Sequence, residues 1–237
     1  MTDAKTIGKD LRALATKEKA EFLPKFFKTG KGEYGEGDQF IGVVVPDQRK
    51  VANKHASTTS KETIIELLNS PIHEERLTAL LIMCNRFNVA KKIGKEKEWY
   101  DLYLKMADRV NNWDLVDASA HIIVGQYLED KDRSILYKLA KENSLWKNRI
   151  AVVATWHFIR KNSDLKDILQ LSEIMLTHKH DLMHKATGWM LREGWKKDAK
   201  QIEKFLDKFA TQMPRTMLRY AIEKMEETKR KGYLNLR

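Results

Sequence analysis

From Ser60 onward the chain repeats one theme: an amphipathic stretch, a brief polar break, then another amphipathic stretch. Apolar residues returning at alternating three- and four-residue intervals specify helices. The spacing predicts them near 60 to 69, 73 to 88, 96 to 109, 112 to 128, 131 to 142, 145 to 161, 164 to 177, 181 to 195, 198 to 210 and 214 to 228. Taken in pairs they form helical hairpins with a period of roughly thirty to forty residues. A hairpin of that size cannot bury its apolar face alone, so successive hairpins must stack into one continuous core.

The expected fold is therefore all-α, a right-handed α-solenoid of HEAT-like helical hairpin repeats, with an ordinary helical bundle as the alternative. At 237 residues one elongated domain over 1–237 accommodates it. Upstream, residues 3 to 28 read as two helices, the second from about Lys17 to Lys28 with Phe22, Leu23, Phe26 and Phe27. A glycine-rich loop at 29–45 follows, holding Gly30, Gly32, Gly35, Gly37 and Gly42. Gly30, Gly32 and Gly35 have the spacing of a dinucleotide-binding turn, but a helical pattern precedes them and no βαβ unit follows, so that reading fails. The run Phe40 to Val45 is strand-like without a partner, and Pro46 suits the opening of the next helix. The basic tail at about 227–237 is expected to fray.

Forty-four Lys and Arg against 33 Asp and Glu leave a net charge of +11, which favours polyanionic partners, nucleic acid before anionic membrane. The single cysteine, Cys84, lies in an apolar run and reads as core, in keeping with a reducing compartment. The charged start has no apolar signal region, and no apolar run approaches the ~20 residues that span a bilayer, so a cytoplasmic, nucleoid-associated monomer with no membrane contact is expected.

Aligning the second helix of each pair by its apolar pattern places Arg76, Asp117, Arg149, Lys185 and Arg219 in one register, separated by 41, 32, 36 and 34 residues. Equivalent positions of a solenoid share one surface. A concave DNA-binding face follows, on which Arg76, Arg149, Lys185 and Arg219, with Lys147, Arg160 and Arg192 nearby, meet phosphates and release counterions. The plainer alternative is that each cation serves a solvated helix face or a local ion pair.

Asp117 does not fit a phosphate binder. Either a neighbour such as Arg149 neutralises it or it serves chemistry, stabilising positive charge that develops on a substrate. Trp113, four residues before Asp117, and Trp189, four after Lys185, supply aromatic faces that attract cations and stack on bases, unless both are core. Trp99, Trp146, Trp156 and Trp195 are assigned to the core. Two indoles and one carboxylate suit a cationic lesion such as an N-alkylated purine. Alkylation at N3 or N7 makes the base a good leaving group, and breaking the N-glycosidic bond leaves an oxocarbenium-like sugar that an aspartate stabilises, or whose attacking water it orients.

The segments NWDLVD, SLWKNRIAVV, HKATGWMLRE and FIGVVVPDQRK resemble the matching segments of the AlkD-type DNA alkylation-repair glycosylases, over most of the chain from about Phe22 to Met225. The resemblance implies a HEAT-like solenoid whose catalytic cleft holds an aspartate and two tryptophans, matching Asp117, Trp113 and Trp189, with the family's cleft arginine at Arg149. It implies excision of 3-methyladenine and 7-methylguanine from double-stranded DNA without turning the lesion into a deep pocket. Two departures stand out: the insert at 30 to 38 is longer, and Asn112 replaces a tryptophan.

Other candidates are weaker. Asp114 reads as a first-turn acid favoured by the helix dipole. His178, His180 and His184 straddle a loop without a cysteine and read as solvated, not as a metal site. His121 reads as structural. The expectation is a monofunctional alkylpurine glycosylase that uses no metal and no cofactor and leaves an abasic site, since no lysine is placed as an amine nucleophile. Its rivals are a non-catalytic DNA-structure-binding HEAT-repeat protein and a solenoid that grips an acidic protein.

Overall fold

The computed structural model describes residues 2–236. Among these the chain is all-helical, with isolated backbone bridges at Thr2 to Thr59 and Gln39 to Ile72 and no strand. It divides into two compact units, Met1–Ser119 and Ala120–Arg237. The first carries α1 (Ala4–Arg12), α2 (Lys17–Phe26), α3 (Val45–His55), α4 (Lys61–Leu68), α5 (His73–Lys91), α6 (Lys97–Lys105) and α7 (Trp113–Ala120). The second carries a π-helical turn (His121–Gly125), α8 (Ser134–Lys141), α9 (Leu145–Asn162), α10 (Lys166–Met175), α11 (Asp181–Trp195), α12 (Ala199–Phe209), α13 (Arg215–Ala221) and α14 (Glu227–Asn235).

The helices begin where polar side chains can satisfy free backbone donors. Ser60 accepts from the Thr63 amide at 3.2 Å ahead of α4, and Asp198 from the Gln201 amide at 3.1 Å ahead of α12. In unit 1, α5 is the central element: it packs on α1, α3, α4 and α6 and buries Leu77, Leu80, Leu81, Ile82, Met83 and Phe87. In unit 2, α9 and α11 do the same: they pack on each other, α9 also on α8 and α10, and α11 on α10, α12 and α13. The closeness of α11 and α13 depends on Gly188, where an added Cβ would lie 2.4 Å from the Met217 carbonyl oxygen. These paired helices agree with the α-solenoid class that the repeat predicts.

Three boundaries differ from the sequence pattern. The stretch from 112 to 128 is not one α-helix, because α7 ends at Ala120 and passes into the π turn. The helix expected over 214 to 228 stops at Ala221, and the chain starts again at Glu227 because the Glu226 carboxylate accepts from the Thr228 and Lys229 amides. The tail is therefore helical up to Asn235, with Tyr233 buried and its hydroxyl donating to Asp207 at 2.8 Å. Arg237 lies outside the described residues.

The glycine-rich segment is a tied-down loop. It pairs with the start of α5 through Gln39 N–H to the Pro71 oxygen at 3.1 Å and His73 N–H to the Gln39 oxygen at 2.8 Å. The buried Glu74 carboxylate accepts from the amides of Ile41, Gly42 and Val43 at 3.1, 2.8 and 3.2 Å, which explains why Phe40 to Val45 can stay extended without a strand partner. Gly42 has φ +90°, and a Cβ there would lie 2.2 Å from the Thr16 oxygen, so no other residue fits. Pro46 then sits in the first turn of α3, as expected.

Candidate functional site

Trp113 opens α7, where the Asn112 side-chain oxygen accepts its amide at 2.8 Å. Asn112 is buried, so the position that departs from the AlkD-type pattern serves as a cap. The indole of Trp113 is half-buried. Phe27 lies parallel to it, with centroids 5.2 Å apart and planes at 10°, and Phe26 meets it edge-on at 5.9 Å. One turn further along the same face is Asp117, also half-buried. Burial pushes the phenol of Tyr103 well above its usual value, with a smaller contribution from the negative charge of Asp117, and its hydroxyl pairs with Ser119 at 2.9 Å.

Behind the Trp113 end of α7 lies a buried ionic network that local sequence patterns do not reveal. His73, 1% exposed, bridges two carboxylates: Nε2 to Asp114 at 2.8 Å and Nδ1 to Asp38 at 3.0 Å. Asp38 also accepts from Arg76 at 2.6 Å and from the Asn112 amide nitrogen at 3.2 Å. Burial alone would push the His73 imidazole down, but Asp114 and Asp38 outweigh it and raise it to about 9. Burial likewise opposes ionisation of Asp38, yet His73 and Arg76 hold it below the usual carboxylate range. Asp114 is thus a partner of His73 as well as a first-turn acid. Its other oxygen accepts from the Leu115 amide at 2.9 Å.

This network corrects the expectation for Arg76. The residue is 1% exposed, gives its guanidinium to Asp38 and the Ser70 carbonyl, and has no side chain to offer a phosphate at the surface. A buried guanidinium needs a partner, and Asp38 supplies it.

In unit 2, Trp189 lies on α11 next to Gly188 and is half-buried. Its ring meets Trp156 edge-on at 5.0 Å, and Trp156 lies 4.6 Å from His121, so three rings form a run. The Arg160 guanidinium stands over Trp156 at 5.1 Å. Trp156 was expected in the core but is only half-buried. His121 and Arg160 also line an open cleft of ≈ 450 Å³ with Ile122, Gln126, His157 and Lys161.

Four of the five residues placed in the charged column share one position in their helices, while Arg76 is the fourth residue of α5. Asp117, Arg149, Lys185 and Arg219 are each the fifth residue of α7, α9, α11 and α13. Their surroundings differ. Arg149 is buried and donates to the Leu182 carbonyl at 2.6 Å, so it first serves the α9 to α11 contact. Lys185 is half-buried and paired with Asp181 at 2.8 Å, while Arg219 is exposed. Lys147 pairs with Glu142 at 3.0 Å, and Arg192 with Glu223 and Glu193.

Among the described residues no three His, Cys, Asp or Glu side chains gather where they could hold a metal ion. His178 is instead hydrogen-bonded to Asn148 at 3.2 Å, and the His180 ring accepts the Leu182 amide at the start of α11. Among the same residues no helix is long and apolar enough to cross a membrane.

Paired helices, four of which carry a charged residue at their fifth position, define a protein of the all-helical repeat class. The model of the DNA alkylation repair enzyme family matches residues 7–225, and the chain belongs to that family, with a role in alkylation repair. A solved structure described as a predicted DNA alkylation repair enzyme from Enterococcus faecalis has the same fold, with a TM-score of 0.66 at 15% identity over 90% of this chain and 97% of that one. No curated protein matches the chain.

Proposed function

We propose that the protein is a monofunctional DNA glycosylase that hydrolyses the N-glycosidic bond of N3- and N7-alkylated purines in double-stranded DNA and leaves an abasic site. The observation that carries the reading is the face of α7. Trp113 and Asp117 are one turn apart, both half-buried, on the first helix turns anchored by Asn112 and His73. Membership in a DNA alkylation repair family supports it.

An alkylated purine is already cationic, so its departure needs little acid assistance. As the glycosidic bond lengthens, positive charge moves to the sugar, and the Asp117 carboxylate opposes that charge. A preorganised charge of this kind is worth ~2.7–4 kcal/mol of barrier, or ~10²–10³ in rate. Trp113, one turn from Asp117, offers its π face to the cationic base or its sugar, worth about 0.5–2 kcal/mol, and Trp189 is proposed as a second aromatic contact for the DNA. Lys185, Arg219, Lys147 and Arg192 are the cations proposed to meet phosphates, with Arg149 supporting α11. The reading invokes no metal and no organic cofactor, and it places a monomer in the cytoplasm with the nucleoid.

The test is base release from methylated duplex DNA. Asp117→Asn should bind the duplex with near wild-type affinity while release falls by two orders of magnitude or more. A variant that releases base at the wild-type rate overturns the assignment. A wild-type protein that binds DNA and releases no base supports the DNA-structure-binding alternative.

A further inference from the structure

We infer that His73 is a positioning residue for the Trp113 and Asp117 face of α7, holding it, as an imidazolium clamped between Asp38 and Asp114, to the glycine-rich loop and to Phe27. The inference deepens the glycosylase reading and rests on it for its kinetic consequences, though the geometry stands by itself.

Four observations converge on this residue. First, both ring nitrogens are engaged, one by the loop carboxylate Asp38 and one by Asp114 of α7, and a neutral imidazole has only one N–H to donate. Two carboxylate acceptors therefore call for the doubly protonated ring. Second, Asp114 is the second residue of α7, between Trp113 and Leu115, so its position sets the first turn of the helix that presents Asp117.

Third, the ring lies within an aromatic stack. Phe40 covers it at 4.6 Å with planes at 21°, and Phe27 stands 4.8 Å away. Phe27 is the ring that lies parallel to Trp113. The imidazolium thus reaches the indole by two routes: through Asp114 to the backbone at the start of α7, and through Phe27 to the face of the ring. Fourth, Asn112, which caps α7, bonds to the same Asp38 oxygen that faces His73. Loop, cap and first turn meet at one cation.

The charged groups around it are Asp38 from the loop, Asp114 from α7, and Arg76 from its own helix, the last turned onto Asp38. Asp38 and Asp114 balance the imidazolium and Arg76 while the imidazolium keeps its proton, and Arg109, which shares the Ser70 carbonyl with Arg76, adds its positive charge beside Asp38. Loss of that proton leaves one carboxylate facing a ring nitrogen lone pair in a buried site, which drives the loop and α7 apart. The raised titration of His73, to about 9, puts this event on the alkaline side of neutrality.

Two measurements on the full chain test the inference. One follows the indole N–H signal of Trp113 by NMR from pH 6 to 10.5, without DNA; the other is single-turnover release of 7-methylguanine over the same range. The Trp113 signal should shift with a midpoint near the His73 value of about 9, and release should fall with the same midpoint. His73→Phe keeps a ring in the stack and removes both ion pairs, so it should abolish the alkaline step and slow release ~10- to 100-fold at pH 7.5, as expected for a misplaced catalytic face. Its DNA affinity should stay within a factor of three or so, because misplacement acts on the chemical step.

If His73→Phe does not fold, Asp114→Asn supplies the second arm. It removes one of the two carboxylates and should move the indole midpoint down by a pH unit or more. An indole signal that does not titrate, or a folded His73→Phe with the wild-type rate and the wild-type alkaline limb, overturns the inference. A titrating indole in a protein that releases no base leaves the positioning role intact and removes the glycosylase reading instead.

Discussion

Glu74 offers the most direct energetic test of how the glycine-rich loop is held. Its side chain is 0% exposed and accepts three backbone amides, those of Ile41, Gly42 and Val43. Gly42 and Val43 are themselves buried, so Glu74→Ala leaves two amides without a partner and without water. Each such orphan costs ~1–3 kcal/mol, which puts the total at roughly 4 kcal/mol. For a chain of 237 residues, at ~2–4 °C per kcal/mol, the melting temperature should fall by roughly 8–16 °C. Glu74→Gln keeps one acceptor oxygen and should lose about half as much. Calorimetry gives the first number, and amide hydrogen exchange locates it: the Gly42 and Val43 amides should exchange far faster in the alanine variant, while those of α9 keep their protection. An alanine variant within ~1 kcal/mol of wild type, or loop amides that remain protected, would refute the role assigned to this carboxylate.

Three further outcomes follow from the same structure. Gly42→Ala combines a positive φ with a Cβ 2.2 Å from the Thr16 oxygen, so thermal unfolding should show a loss of ~3 kcal/mol or more, whereas Gly32→Ala, with φ +79° and open space around it, should cost only ~1 kcal/mol. Because the folded-state value of His73 is raised from 6.5 to about 9, it contributes about 3 kcal/mol of stability that is fully present below pH 6.5 and disappears as pH rises through about 9. Urea titrations at pH 6 and pH 10 should differ accordingly in wild type and much less in His73→Phe. Arg219→Gln and Lys185→Gln should each reduce the slope of log affinity for duplex DNA against log salt by ~1. Arg76→Gln should leave that slope alone and instead destabilise the fold by roughly 3–5 kcal/mol, as removal of one partner of a buried ion pair does.

How far the sequence carried depends on whether the physics at each place is local. α11 was expected over 181 to 195 and runs from Asp181 to Trp195, since its apolar spacing, its capped start and its end are all written within one short segment. The α7 face was legible for the same reason, as two residues four apart on a helix share a side whatever surrounds them. The passage of α7 into a π turn was not, because the apolar spacing of Ile122, Ile123 and Leu128 continues across it. The restart at Glu227 is hidden in the pattern although its cap, Glu226, is in the sequence. The helical pattern through Met225 masked it.

The ionic cluster lay furthest from view. Asp38, His73 and Asp114 are separated by 35 and 41 residues, and no spacing rule links them. One signal was present: HEER, four charged or titratable residues, opens α5 directly ahead of its apolar run Leu77 to Cys84. Periodicity treats such a cluster as solvated, and it placed Arg76 in a surface column, whereas the partner that draws Arg76 inward is 38 residues away in the loop. Trp156 differs in the opposite sense: its apolar neighbours in sequence point to the core, yet it is half-buried between His121 and Trp189.

The central claim is that Asp117 opposes charge developing on the sugar of an alkylated nucleotide. Single-turnover release of 7-methylguanine from a methylated duplex, by wild type and by Asp117→Asn under saturating enzyme, measures that directly. The expected result is release by wild type and a rate lower by ~10²–10³ in the variant, with DNA affinity retained. Equal rates in the two proteins, or no release by wild type above the spontaneous rate, would contradict it.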